Sequence, residues 1–242
     1  MSRDERDLVV VTGTSGGLGG AIAARAIADG FRVVGVARRA VSASDIGADD
    51  GYQHIQYDLG DIDGLGGLVG DITEQFGKPY ALVNNAAIGT DGLLPTMHNS
   101  DIEEVVRLNV TSPMVLTKYV VRHMLAARRG RIINISSIVA RTGYRGLAAY
   151  GATKAAVEGF SRSLARDIGP RKVTVNAVAP GFLATEMTSG LGDTNLERIK
   201  NRSALGRFAE VEEVAASVGY LLSDSAAGVT GTVLTVDGGS TA

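Results

Sequence analysis

An α/β protein built on a doubly wound parallel sheet is what the order and texture of the apolar segments predict. Short runs rich in Val, Ile and Leu alternate with stretches of helical periodicity along the whole chain, the pattern that yields helices packed on both faces of a sheet. The apolar runs are nearly continuous and do not alternate with polar residues, as expected of strands covered on both sides. With 242 residues, 45% hydrophobic and 21% charged, the chain can bury one substantial core without dividing. A single domain over residues 1–242 is expected.

In chain order, the strands are expected at Leu8 to Thr12, Arg32 to Ala37, Ile55 to Asp58, Ala81 to Asn84, Arg131 to Ser136, Val173 to Val178 and Val233 to Val236, about seven in all. Helical periodicity fills Leu18 to Asp29, Ile62 to Phe76, Ile102 to Ala127, Ala149 to Ile168 and Val211 to Leu222, with Gly30 and Gly77 as stop signals. No internal repeat is present. The least regular long stretch, Glu186 to Ser203, is polar and follows Pro180-Gly181. In a compact domain such a segment serves more often as a lid or binding loop than as a linker.

Composition narrows the partners. Lys+Arg 24 against Asp+Glu 26 gives a net charge of -2, and no extended basic surface is encoded that would suit nucleic acid. No apolar run approaches the ~18 residues of a membrane span, and the start, MSRDERDLVVV, is too charged for an export signal. Cys 0 excludes disulfides and thiolate chemistry and fits a reducing compartment. A soluble, cytoplasmic protein is expected.

The first strand runs into VTGTSGGLGG, with Gly13, Gly17 and Gly19 at the turn that opens the first helix. Glycines there let the backbone bend sharply and let a pyrophosphate approach the free N–H groups of the helix start, flanked by Ser15 and Leu18. The same spacing also suits a close strand-to-helix turn with no ligand. The second strand ends in Ala37-Arg38-Arg39. With no carboxylate to bind a ribose 2′-hydroxyl, and two guanidinium groups suited to a phosphate, NADP is favoured over NAD; a solvated basic turn is the alternative. Asp58, followed by Leu59, could accept a bond from an adenine amino group or cap a helix.

Tyr150 and Lys154 lie four positions apart, on one helix face. Ser137 comes at a strand end, where such sheets present groups to ligands. The ordered set Thr12-Gly13-x3-Gly17-x-Gly19, Asn84-Asn85-Ala86, Asn109, Ser137, Tyr150-x3-Lys154 and Pro180-Gly181 resembles the short-chain dehydrogenase/reductase family over essentially the entire chain. The resemblance implies a Rossmann-like fold and hydride transfer between NADP(H) and a carbonyl or alcohol carbon. It implies Tyr150 as general acid, Ser137 bonding the carbonyl oxygen, Lys154 holding the nicotinamide ribose and lowering the tyrosine pKa, and Asn109 supporting a water relay. Moving a phenol from about 10 to near 7 takes roughly 4 kcal/mol, and one positive charge at about 4 Å in an effective dielectric near 20 supplies about that much.

By the same resemblance, Asn85, Ala86, Pro180, Gly181 and Thr185 line the cofactor groove, and Asn84 braces the strand ends. Ala87 stands where the family commonly has glycine, and this extra methyl is not expected to exclude cofactor. Within the family, the run NAVAPGFLATEMT and the ending ALGRFAEVEEVAASVGYLLSDSAAGVTGTVLTVDGG are most similar to bacterial 3-oxoacyl-acyl-carrier-protein reductases. This implies a carrier-bound substrate docked through Arg128 and Arg171 beside the active-site mouth; a basic residue at a helix C-terminus is also favoured without any partner. A sugar, steroid or small ketone is the alternative substrate, and a non-catalytic dinucleotide-binding module the alternative class. His54, His98 and His123 show no metal-ligand spacing. The helix from Ala149 to Ile168 is apolar on more than one face, so a second subunit is expected to cover what the sheet does not, as in a homo-oligomer, a tetramer before a dimer.

Overall fold

The computed structural model describes residues 6–48, 50–89, 91–183, 197 and 200–242. At its centre is a parallel sheet of seven strands in the order β3-β2-β1-β4-β5-β6-β7. These are β1 (Leu8–Thr12), β2 (Arg32–Ala37), β3 (Tyr52–Gln56), β4 (Pro79–Asn84), β5 (Gly130–Ile135), β6 (Val173–Pro180) and β7 (Val233–Val236). Strand order reverses between β1 and β4, which opens the crevice where such sheets bind ligands.

Helices cover both faces: α1 (Gly17–Ala28), α2 (Leu65–Phe76), α3 (Asn99–Val106), α4 (Ser112–Ala127), the short α5 (Val139–Thr142), α6 (Ala148–Ile168) and α7 (Val211–Leu222). Alternate residues of one strand serve the two cores, because strand side chains point to opposite faces in turn. Val9 and Val11 pack with Ile22, Val214 and Val218 on the α1/α7 side. Leu8 and Val10 pack with Leu65, Ile72, Leu116 and Met124 on the α2/α4 side. This double burial is why the strand sequences lack polar alternation.

Two expectations are corrected. The third strand is Tyr52–Gln56, not Ile55 to Asp58, because at the sheet edge Gln53 and Gln56 face solvent and interrupt the apolar run. The long helix expected from Ile102 to Ala127 is broken by a π turn over Arg107–Thr111. Pro113, in the first turn of α4, has no N–H to donate to the carbonyl of Asn109 four residues earlier, so the α-helical ladder cannot run through. The segment expected to act as a lid, near 186–203, lies outside the described residues except for Glu197 and 200–203.

One glycine in the sheet shows how tightly the ligand-facing edge is built. The Tyr52 hydroxyl donates to Thr14 Oγ1 at 2.9 Å and lies 2.8 Å from His54 Nδ1. A Cβ on Gly35 would collide with that hydroxyl and come within 2.7 Å of Thr14 Oγ1. Gly35→Ala is therefore expected to lower the unfolding free energy in urea by about 1–3 kcal/mol, and adding Tyr52→Phe to recover part of that loss.

Candidate active site

Because the strands are parallel, the turns that follow β1 to β6 all emerge at one edge of the sheet, and Gly13, Arg38, Asp58, Asn85, Ser137 and Gly181 sit on them. After β1, Gly13 has φ +74, and a side chain there would press on Ala86 Cα and Asn85 Nδ2, both at 2.9 Å. A Cβ on Gly19 would fall on the carbonyl of Gly13. Gly17 faces open space: its own helix backbone and chain neighbours aside, no described atom lies within 4 Å of where its Cβ would stand. The start of α1 carries no side-chain cap and no acidic residue in its first turn. A helix end with unclaimed donors and open space above a glycine suits an anionic phosphate, so these residues fit a dinucleotide.

At the end of β2, Arg39 Nη2 donates to the carbonyl of Ser15 at 2.9 Å, laying its guanidinium against the glycine turn. The carbonyl of Arg38 is held by Gln56 Nε2 at 2.7 Å, while its side chain lies on the exposed surface. After β3, Asp58 Oδ1 accepts from the Gly60 N–H at 2.9 Å, an intraloop turn that leaves its second oxygen available. Leu59 is buried in the core beside it.

After β4, Asn85 is stitched to the end of β1. Its Nδ2 donates to the Thr12 carbonyl at 2.9 Å, and the backbone N–H groups of Asn85 and Ala86 both donate to Thr12 Oγ1 at 3.0 Å. Asn84 braces the strand ends as expected, donating to Asn134 Oδ1 at 2.8 Å and Thr117 Oγ1 at 3.0 Å. Its own Oδ1 is buried without a partner.

Ser137, Tyr150 and Lys154 converge where β5 ends and α6 begins. The phenol of Tyr150 lies near enough to the Ser137 hydroxyl for that hydroxyl to favour its ionised form. Lys154, 4% exposed, donates from Nζ to the carbonyl of Ile135 at 2.8 Å and lies 5.6 Å from the centroid of the Tyr150 ring. Burial pulls its pKa down to about 8. The same burial pushes the Tyr150 phenol above its ordinary value, and the neighbouring Ser137 hydroxyl pulls it back only in part. A phenol lowered by its lysine neighbour is thus not what the chain alone contains: the amine lies over the ring and is tied to Ile135.

Asn109 sits in the π turn, 2% exposed. Its side chain is committed to Ile88, accepting from the N–H and donating to the carbonyl, each at 2.9 Å, with a further bond to Thr153 Oγ1 at 3.2 Å. Any part it takes in a relay falls to its backbone carbonyl, which Pro113 leaves without an α-helical donor. Asn84, Ala86, Asn109, Pro113 and Lys154 help line a cavity of about 10 Å³, room for one water.

Beyond β6, the Gly181 N–H donates to the Val236 carbonyl at 2.8 Å, and a side chain on Gly181 would strike Asp237 at 2.6 Å. The Pro180 carbonyl accepts from the Ile138 N–H at 3.0 Å. Thr185 lies outside the described residues. Among the described residues, no group of three or more His, Asp or Glu side chains could hold a metal ion, and no helix is long and apolar enough to cross a membrane.

Arg128 and Arg171 do come together, the Arg128 guanidinium reaching the Pro170 carbonyl at 3.5 Å, but not beside the mouth of the site. They directly precede β5 and β6, whose paired first residues are Gly130 and Val173. Residues that lead into parallel strands lie at the edge opposite to the one where those strands end. Sequence reasoning also missed Tyr52 beneath the glycine turn and Glu158, whose place one turn beyond Lys154 on the same face was the signal available.

A family model described as "Enoyl-(Acyl carrier protein) reductase" matches residues 13–241. The chain is 40% identical over 237 residues to the 3-oxoacyl-[acyl-carrier-protein] reductase of Pseudomonas aeruginosa, covering 96% of each chain. It is 40% identical over 234 residues to the Haemophilus influenzae protein of that name, covering 96% of this chain and 97% of the relative. The Escherichia coli protein of that name is 39% identical over 238 residues, with 97% of each covered.

The buried lysine makes stability depend on pH with a definite sign. Its folded pKa lies near 8 against an ordinary 10.5, so the unfolded chain binds the proton more tightly. The penalty, about 3 kcal/mol, is complete below pH 8 and disappears as pH rises towards 10.5. Urea unfolding of the cofactor-free protein from pH 7 to 10.5 is therefore expected to show the native chain gaining stability relative to Lys154→Met as pH rises.

Proposed function

We propose that this chain, which belongs to the short-chain dehydrogenase/reductase family, reduces the 3-oxoacyl group of an acyl-carrier-protein thioester to the 3-hydroxyacyl form. It is an oxidoreductase and its cofactor is NADP(H). The observation that carries the reading is the Tyr150 phenol beside the Ser137 hydroxyl and a buried amine, since two neighbouring hydroxyl groups can both donate to one carbonyl oxygen. The relatives named for 3-oxoacyl reduction support the same chemistry. We take residues 1–242 as one domain with a lid near 186–203, working in the cytoplasm.

Gly13, Gly17, Gly19, Ser15 and Leu18 would hold the pyrophosphate, Arg38 and Arg39 the 2′-phosphate, and Asp58, Leu59, Ala86, Pro180, Gly181 and Thr185 the remaining surface. Once bound, NADPH supplies a hydride to the carbonyl carbon. Ser137 Oγ donates a hydrogen bond to the carbonyl oxygen and orients it. Tyr150 transfers its proton to that oxygen as negative charge develops there. With a pKa near 8, Lys154 is mostly charged at neutral pH and stabilises the phenolate left behind. A water in the adjoining cavity, facing the carbonyl of Asn109, would pass a replacement proton to Lys154 and so to the phenol.

A carrier protein docked at Arg128 and Arg171 would stand far from the same chain's phenol. Helix α6 runs from Ala148 to Ile168, and at ~1.5 Å per residue the stretch beyond Tyr150 alone spans about 27 Å. The docking reading therefore rests on a second copy whose site faces the arginine pair. Ala152 and Ala155, exposed on α6, favour such packing, and a homo-tetramer is the assembly we propose.

NADPH oxidation followed at 340 nm should be rapid with 3-oxoacyl thioesters and slow with enoyl thioesters, sugars and simple ketones; the reverse ranking would overturn the substrate assignment. Tyr150→Phe is expected to lower kcat on the order of 10³-fold while NADPH still binds. Arg128→Glu with Arg171→Glu should raise KM for the carrier-linked substrate about 10-fold or more and leave KM for the matching N-acetylcysteamine thioester unchanged.

A further inference from the structure

Glu158 is a carboxylate where an apolar residue would be expected. It faces the core side of α6 with only 4% of its surface exposed, one turn beyond Lys154 and two beyond Tyr150. Ser136 Oγ shares its proton between Glu158 Oε1 and the carbonyl of Lys154, each at 3.2 Å. Arg141 Nε donates to Glu158 Oε2 at 3.1 Å, and Arg162 Nη1 stands 3.6 Å from the same oxygen. Ser136 and Arg141 lie on either side of Ser137, in the segment that leads from β5 through α5.

We infer that Glu158 is a positioning residue for the reaction: its carboxylate fastens both flanks of Ser137 to the helix that carries Tyr150 and Lys154. The other side of the segment is held by backbone alone, Ser136 N–H to the Val178 carbonyl at 2.7 Å and Ile138 N–H to the Pro180 carbonyl at 3.0 Å. Those bonds fix the segment against β6; towards α6, Lys154 and Ser136 tie the part before Ser137, and Glu158 adds the tie beyond it through Arg141. Inside the segment, Ser137 Oγ accepts from the Val139 N–H at 3.3 Å, so the hydroxyl moves with the turn that Arg141 anchors.

Stability alone does not account for the residue. A well-packed apolar side chain in place of a buried ion pair is often as stabilising or more so, and both arginines are half exposed, 49% and 54% at their side chains. Their charges stay solvated without a partner. What the carboxylate adds over a leucine is direction: one oxygen takes the residue before Ser137, the other the arginine after it.

The inference rests on the reductase reading for its kinetics, and one measurement is independent of it. Glu158→Leu is expected to lower kcat on a 3-oxoacyl thioester at least 10-fold, with KM and the NADPH dissociation constant, read by fluorescence titration, unchanged. Glu158→Gln, whose amide oxygen still accepts from Ser136, should retain an intermediate rate and carries the test if Glu158→Leu does not fold. In a Ser137→Ala background the Glu158 substitution should cost nothing further. In the cofactor-free protein, amide exchange at Ile138 and Val139 should quicken at least 10-fold in Glu158→Leu while exchange in the β4 and β5 core is unchanged. Equal losses in the presence and absence of Ser137, or unaltered exchange at those amides, would overturn the positioning role. A native chain that exchanges as expected but reduces no 3-oxoacyl thioester would sink the reductase reading and leave the clamp standing.

Discussion

A charged amine buried against the last carbonyl of a strand is the constraint from which the rest of the site follows. Lys154 donates to Ile135 at 2.8 Å, and an ammonium removed from water costs too much to be held loosely. The bond locks the first turns of α6 onto the end of β5. Tyr150, one turn earlier, and Ser137, two residues past the strand, are then placed by the same junction, which in the proposed mechanism joins the acid, the orienting hydroxyl and the cation. A lysine with a pKa near 8 also keeps its proton exchangeable close to neutrality, which an ordinary surface lysine does not.

The dinucleotide side obeys a second consequence of parallel pairing. Thr12 ends β1 and its hydroxyl receives the N–H groups of both Asn85 and Ala86, so the gap at which strand order reverses is held by this side chain together with that of Asn85. Glycine is required at 13 and 19 because the turn is closed against that same seam, whereas Gly17 borders open space. The first two serve the protein's own packing. The third leaves room for a ligand.

What the sequence made legible depended on burial. Strands hidden on both faces announce themselves as unbroken apolar runs, and Leu8–Thr12 and Arg32–Ala37 were readable to the residue; Val233–Val236, half-buried at the opposite sheet edge, was readable because its run is still mostly apolar. The edge strand Tyr52–Gln56 was misplaced because its exposed side chains mix polarity into the run. The π turn was hidden by the helical periodicity on either side of it, although Pro113 within that stretch was a warning. Ser137, Tyr150 and Lys154 could be placed together because helix spacing and strand ends are local rules. Arg128 and Arg171 could be matched to a motif, but their edge of the sheet follows only from tracing which way each strand runs. The clamp at Glu158 depends on a long-range contact that no spacing rule announces.

The state of the phenol bears on when the acid acts. In the chain alone, burial holds Tyr150 above its ordinary pKa, so at neutral pH essentially every copy carries its proton. A phenol already lowered to 7 would be half empty at that pH and would offer an anion to the substrate oxygen as often as a donor. Keeping the acid loaded and lowering its pKa only as charge develops on the carbonyl oxygen avoids that loss, and it assigns distinct tasks to the neighbours. In the proposed mechanism Ser137 draws the phenol part of the way down beforehand, and Lys154, 5.6 Å from the ring centroid, would stabilise the phenolate after transfer. The geometry that looks ill suited to a permanently acidic tyrosine is therefore well suited to one that releases its proton on demand.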